Sequence, residues 1–186
     1  LPPMATPASA SPDFRFPQFH SFPPSFTRQP VPATRAKQTT LWTALIRDYC
    51  RHHRIFWLDL AAAAASPLFH NVAIHRRLAD RDIQFFAGAM VDNGDAQWDA
   101  SMKRVLVFWR RPAEWGEAIY SWVEDTGRNG TVMTVYEIRL GEHAKSRDFY
   151  NLDLDLTMLA LQALELHGKA ALFDGKASDS LGVKFL

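Results

Sequence analysis

An α+β, mainly α, architecture of two tandem winged-helix domains behind an extended Pro/Phe-rich N-terminal segment is predicted by three observations. Proline is confined, with nine of eleven at or before Pro32 and only Pro67 and Pro112 beyond. Residues 33–111 read in the order helix, strand, helix, helix and two-stranded hairpin, which is a helix-turn-helix with a β wing. Residues 112–186 repeat the closing pattern: Asn93-Gly94, strand, polar loop and Val105 to Trp109 are matched by His167-Gly168, strand, polar loop and Val183 to Leu186.

The N-terminal 1–13 is Pro, Ala and Ser with few bulky apolar groups, so a disordered tip is expected there. Residues 14–32 follow as a proline-aromatic segment. Phe16, Phe19 and Phe22 recur every third residue, and a polyproline II helix has three residues per turn, so Pro17, Pro23 and Pro24 would align the rings as a ridge. A narrow segment cannot bury several Phe rings within itself, and each is worth about 1.5–3 kcal/mol when covered. Either the segment folds back on its own domain or a partner covers it. Because two self-sufficient domains follow, the expectation is an intermolecular anchor across Phe16, Pro17, Phe19, Phe22, Pro23, Pro24 and Phe26.

In the first domain, Leu41, Trp42, Leu45, Ile46, Tyr49 and Cys50 form a helical stripe between Arg35 and Arg54, with Thr34 as cap and Arg51-His52-His53-Arg54 at the negative end of the dipole. Ile55 to Leu58 reads as a strand. Pro67 suits the first position of a helix over Leu68 to Leu78. Asp80 or Asp82 opens a third helix with Ile83, Phe86, Ala87 and Met90 on one face, stopped at Asn93-Gly94. Gln97-Trp98 and Val105 to Trp109 make the wing.

Pro112 opens the second domain with Trp115, Ile119, Trp122 and Val123 on one stripe. Val132 to Ile138 is β-rich, or a strand running into a short helix. Leu156, Leu159, Ala163 and Leu166 mark a helix with Asp153 or Asp155 at its start, followed by strands at Ala170 to Phe173 and Val183 to Leu186. Trp115, Trp122 and Phe149 are expected in the core.

A charge of +1 over 186 residues gives no global field for nucleic acid. Winged helices often read DNA, and a transcription regulator is the alternative function. The two recognition helices, however, offer Asp80, Asp82 and Asp92, and Asp153, Asp155 and Glu165, which repel phosphate. No phosphate loop, HExxH pattern or nucleophile elbow is present, the seven His are scattered, and the expectation is a non-enzyme with no cofactor and no metal site. The lone Cys50 excludes an internal disulfide and fits a reducing compartment, and no apolar run reaches the length of a membrane span. An intracellular interaction module remains.

Phe22 to Pro30 (FPPSFTRQP), Tyr49-Cys50-Arg51, Ser66 to Asn71 (SPLFHN), Trp109 to Gly116 (WRRPAEWG), Thr134 to Ile138 (TVYEI) and Gly182 to Phe185 (GVKF), in this order and spacing, resemble the small winged-helix subunits of ESCRT-II. The resemblance implies a cytoplasmic adaptor, recruited peripherally to endosomal membranes, that sorts ubiquitinated cargo into multivesicular bodies. Two copies would join two larger winged-helix subunits. Attachment would run through Phe16, Pro17 and Phe19, and through Phe22, Pro23, Pro24 and Phe26; the resemblance makes the second set the stronger, because the first has Gln18 where a second proline is expected. The second domain, 112–186, would hold the first helix of an ESCRT-III charged multivesicular body protein. Contact with the membrane would be indirect, and no specific nucleic acid is implied.

Overall fold

The computed structural model describes residues 13–173 and 178–186. All but Asp13 of the expected tip, and residues 174–177 of the expected loop, lie outside the described residues. The chain divides into two compact units, Leu1–Trp109 and Arg110–Leu186, each built on a three-stranded antiparallel sheet.

In the first unit, α1 spans Pro32–His53. It starts two residues before the expected Thr34 cap because Pro32 itself takes the first helical position, where its missing N–H is no loss and its φ is already helical. Trp42, Leu45, Ile46 and Cys50 are buried, whereas Leu41 stays 47% exposed. The helix ends at Arg54 in the left-handed region, with Arg51, His52 and His53 in the last turn. β1 (Trp57–Asp59) begins two residues later than expected, and Asp59 caps the short α2 (Leu60–Ala63) by accepting from Ala62 N at 2.9 Å.

The helix expected over Leu68 to Leu78 does not form. Its place is taken by a ribbon of β2 (His70–Asn71) and β3 (Arg76–Arg77) around a 3-10 turn at Val72–Ile74. Asn71 Oδ1 accepts from Ala73 N at 3.1 Å, His75 takes φ 52°, and Leu78 N donates to Phe69 O at 2.8 Å. Asn turn chemistry, with β-branched Val72 and Ile74, outcompetes the helical start that Pro67 suggested. The ribbon thereby buries Leu68, Phe69 and Leu78 completely.

α3 (Asp80–Asp92) buries Ile83, Phe86, Ala87 and Met90 as its stripe requires, and the chain turns at Gly94, φ 78°. β4 (Ala96–Trp98) and β5 (Arg104–Val107) form the wing, and the sheet order is β1-β5-β4. Asp99 ties the wing tip, accepting from Ser101 Oγ at 2.8 Å and from Lys103 N and Arg104 N at 3.0 and 3.1 Å. These bonds, the serine's first, hold its carboxyl down at about 2.

In the second unit, α4 (Pro112–Asp125) has Pro112 at its first position, and Glu114 Oε2 accepts from Arg111 N at 2.7 Å. Trp115, Ile119, Trp122 and Val123 are buried, as is Phe149. β6 (Val132–Thr134) runs into α5 (Val135–Leu140), the strand-to-helix alternative. A reciprocal cap decides it: Thr134 N donates to Glu137 Oε2 at 2.7 Å and Glu137 N to Thr134 Oγ1 at 3.2 Å. Asp153 Oδ1 caps α6 (Leu154–Leu166), accepting from Asp155 N and Leu156 N. β7 (Ala170–Leu172) and β8 (Gly182–Phe185) complete a sheet of order β6-β8-β7.

The face of α6 differs from the expected one. Leu156, Met158, Ala160, Leu161 and Leu164 are buried, while Leu166 is 85% exposed. Apolar residues surround this helix, so period alone does not select a face. Packing selects it: a Cβ at Gly116 would stand 2.8 Å from Ala160 O and 3.2 Å from Leu164 Cγ, so the glycine lets α4 and α6 approach through residues 160 and 164.

Candidate partner-binding site

Residues 14–30 do not run as a polyproline ridge. Gln18–Ser21 and Pro23–Phe26 each close a 3-10 turn, through His20 N to Pro17 O and Phe22 N to Phe19 O, both 3.0 Å, and through Ser25 N to Phe22 O at 3.0 Å and Thr27 N to Pro24 O at 3.2 Å. Proline fixes only φ near −65°, a value shared by polyproline and 3-10 geometry. What the turns add is burial of His20 and Phe26.

The rings therefore part company. Phe26 enters the core of the first unit, 4% exposed and edge-on to Trp42 at 5.3 Å between centroids. Phe19 meets the same indole at 5.3 Å, Phe16 stacks on His20 at 4.2 Å, and Phe14 packs on Tyr49 at 5.2 Å. The expectation that the first domain needs none of these rings is corrected: the segment straps its own domain. Phe22 alone turns outward, 59% exposed, beside exposed Pro23 and Pro24, and Pro17 is exposed as well.

Polar contacts hold the strap in this shape. Gln38 Nε2 donates to Ser25 O at 3.0 Å and Thr27 O at 2.9 Å, and its Oε1 accepts from Gln29 N at 3.0 Å. His20 Nε2–H donates to Leu68 O at 3.1 Å, and Asn71 Nδ2 donates to His20 O at 2.7 Å. That bond places the imidazole proton on Nε2 and leaves Nδ1 facing the Asn71 amide at 3.5 Å. Burial pushes the His20 pKa below its ordinary value. Arg28 pairs with buried Asp82 of α3 at 3.3 Å and lies over Phe85.

Sequence reasoning missed the residues that shape the site from elsewhere in the chain: Gln38 and Trp42 on α1, and Leu68 and Asn71 on the ribbon. The sequence reading places Leu68 and Asn71 on a helix opened by Pro67, and a ribbon in place of that helix is what brings Asn71 to His20. β3 packs against the turn Pro23–Phe26. Its Arg76 is exposed and has no carboxylate partner among the described residues.

The recognition-helix surfaces are acidic: α3 exposes Asp80, Asp92 and Gln84 beside Arg81, and α6 exposes Asp155, Gln162 and Glu165. Among the described residues no group of three or more His, Cys, Asp or Glu is placed to hold a metal ion. Burial pushes the Cys50 thiol up to about 12, which leaves it protonated and unreactive at neutral pH. No helix among the described residues is long and apolar enough to cross a membrane.

Fold and surface together define a tandem winged-helix protein whose distinctive exposed feature is a folded proline-aromatic edge. The family profile of ESCRT-II complex subunits matches residues 19–153. The vacuolar protein sorting-associated proteins 25 of Arabidopsis thaliana, Homo sapiens and Danio rerio are 41%, 40% and 39% identical to it. They align over 92–93% of this chain and 96–98% of their own length. The chain belongs to this family of ESCRT-II complex subunits. A crystal structure of subunit VPS25 of the endosomal trafficking complex ESCRT-II superposes with a TM-score of 0.79, covering 91% of this chain and 98% of that one, and the VPS22/VPS25/VPS36 complex structure does so at 0.77. At 24% identity these two matches speak for the fold.

Proposed function

We propose that this chain is a non-enzymatic adaptor of ESCRT-II. Its folded Pro/Phe edge attaches it to the larger winged-helix subunits, two copies of it join one of each, and its second domain recruits ESCRT-III at endosomal membranes. The observation that carries the attachment is the outward edge Phe22-Pro23-Pro24, an exposed apolar surface in a segment whose other Phe rings pack on its own domain. Phe16 and Phe26 act from beneath, by fixing the shape of that edge, while half-buried Phe19 and exposed Pro17 border it. Arg76, on the ribbon beside the turn, supplies a charge for a carboxylate on the receiving subunit.

For the second domain, the support is an exposed apolar patch on the outer face of the β6-β8-β7 sheet. Val132 and Phe173 flank Gly182, whose Cβ position is 3.5 Å from Val132 Cγ1 and 3.2 Å from the Phe173 ring. An amphipathic helix can lay its apolar face there.

Coexpression with VPS22-type and VPS36-type subunits tests the reading. Phe22→Ala with Pro23→Ala and Pro24→Ala should abolish co-purification while the isolated variant unfolds cooperatively, and native mass measurement of the intact assembly should give two copies of this chain with one of each partner. Full assembly by the triple variant, or a single copy per complex, would refute the attachment or the stoichiometry.

A further inference from the structure

Leu41 does not belong to the Pro/Phe segment, yet it shapes the surface beside it. With Phe19 it forms the wall common to two hollows. One, about 250 Å³, is bounded by Phe22, Pro24 and Lys37; the other, about 410 Å³, by Phe14, Arg15 and Pro17. Both lie between the strap and α1, so they exist only while the strap is folded down. Their borders are cationic. Arg15 and Lys37 are exposed without a carboxylate partner among the described residues, and the one carboxylate there, Asp48, lies 3.5 Å from Arg51.

The geometry points to a composite docking surface in which the partner of the strap reads Leu41 together with Phe19 and Phe22. It does so through an apolar segment of its own flanked by carboxylates that face Lys37 and Arg15. Recognition is thus of a folded surface and not of residues 16–26 as a linear peptide. This inference rests on the strap being the attachment site and adds a specificity residue outside it. A detached peptide lacks Leu41 and must be ordered on binding, which lowers its affinity. The charged border contributes mainly to encounter, so its effect shrinks as salt rises.

The test is binding to immobilised VPS22-type and VPS36-type subunits, comparing the full chain, its variants and a synthetic peptide of residues 14–30. Leu41→Asp is expected to weaken binding by about 30-fold or more, as for a central anchor, and Leu41→Met to restore it. Lys37→Glu with Arg15→Glu should slow association about tenfold at low salt and less at high salt. The peptide should bind at least about 100-fold more weakly than the chain. A peptide equal to the chain, or Leu41→Asp binding normally, overturns the composite surface while Phe22→Ala still abolishes binding. Normal binding by Phe22→Ala removes the attachment reading itself, and this inference with it. Leu41 lies outside the core, so thermal unfolding of the variants should match the parent.

Discussion

The indole Nε1 of Trp42 donates to the carbonyl of Ser25 at 2.9 Å, and Gln38 Nε2 reaches the same oxygen at 3.0 Å. One helix thus grips the strap by its backbone, in a way that does not depend on the strap's side chains. Gln38→Ala strands the Gln29 N–H at a half-buried site, while the Thr27 carbonyl keeps the Gln29 Nε2 donor at 2.9 Å, and a loss of about 1–3 kcal/mol is expected. Urea unfolding of the isolated chain reads it. An unchanged midpoint would mean that the rings alone hold the strap.

Phe22 and Phe26 look equivalent in the motif but sit on opposite sides of it. Phe26→Ala empties a core position and should cost about 3–5 kcal/mol. Phe22→Ala removes an exposed ring and should stay within about 0.5 kcal/mol. Paired thermal melts distinguish them, and a large loss at Phe22 would show that it too is structural.

His20 makes strap stability pH-dependent. Its folded pKa lies below the ordinary 6.5 because burial disfavours the cation. Between the two values the unfolded chain binds more protons than the folded one, so the contribution is intact above about pH 6.5 and is lost as pH falls from there towards the folded pKa. It meets Phe16, Phe26, Trp42, Leu68 and Asn71, none of them charged. His53 is shifted the same way, so the His20 share is the difference in urea midpoint between the parent and His20→Asn from pH 8 to 5. Parallel curves would exclude it.

Gly116→Ala should destabilise the second unit by about 1–3 kcal/mol, the cost of overpacking where a backbone carbonyl stands 2.8 Å away. Hydrogen exchange should quicken in α4 and α6 while amides of the first unit keep their rates. Unaltered exchange in α6 would mean that the two helices separate at no cost.

Much of the fold was legible because its signals are local. Pro32 and Pro112 both open helices, Asn93-Gly94 closes one, and the stripes of α3 and α4 each have one apolar face. The misreadings other than the Pro32 start involve contacts distant in sequence, which at the ribbon add to the local turn chemistry of Asn71. The ribbon at His70–Arg77 competes with a plausible helix and is chosen by where Leu68, Phe69 and Leu78 are buried. The face of α6 is set by a glycine in another helix. In the strap, threefold spacing of Phe is compatible with two backbones of similar φ, and the polar grip of Gln38, Trp42 and Asn71 selects between them. The motif itself was readable; which of its rings face outward was not.

The bond from Asn71 to His20 spans 51 residues, and that separation has a consequence in time. During synthesis the strap leaves the ribosome before its clasp, which at about 5–20 residues per second follows roughly 3–10 s later. Throughout that interval its aromatic rings have no ribbon to rest on, and for the first part of it no α1 indole either. The docking edge is therefore made well before the residues that give it its shape, so a partner that requires the finished edge ignores nascent chains shorter than the ribbon.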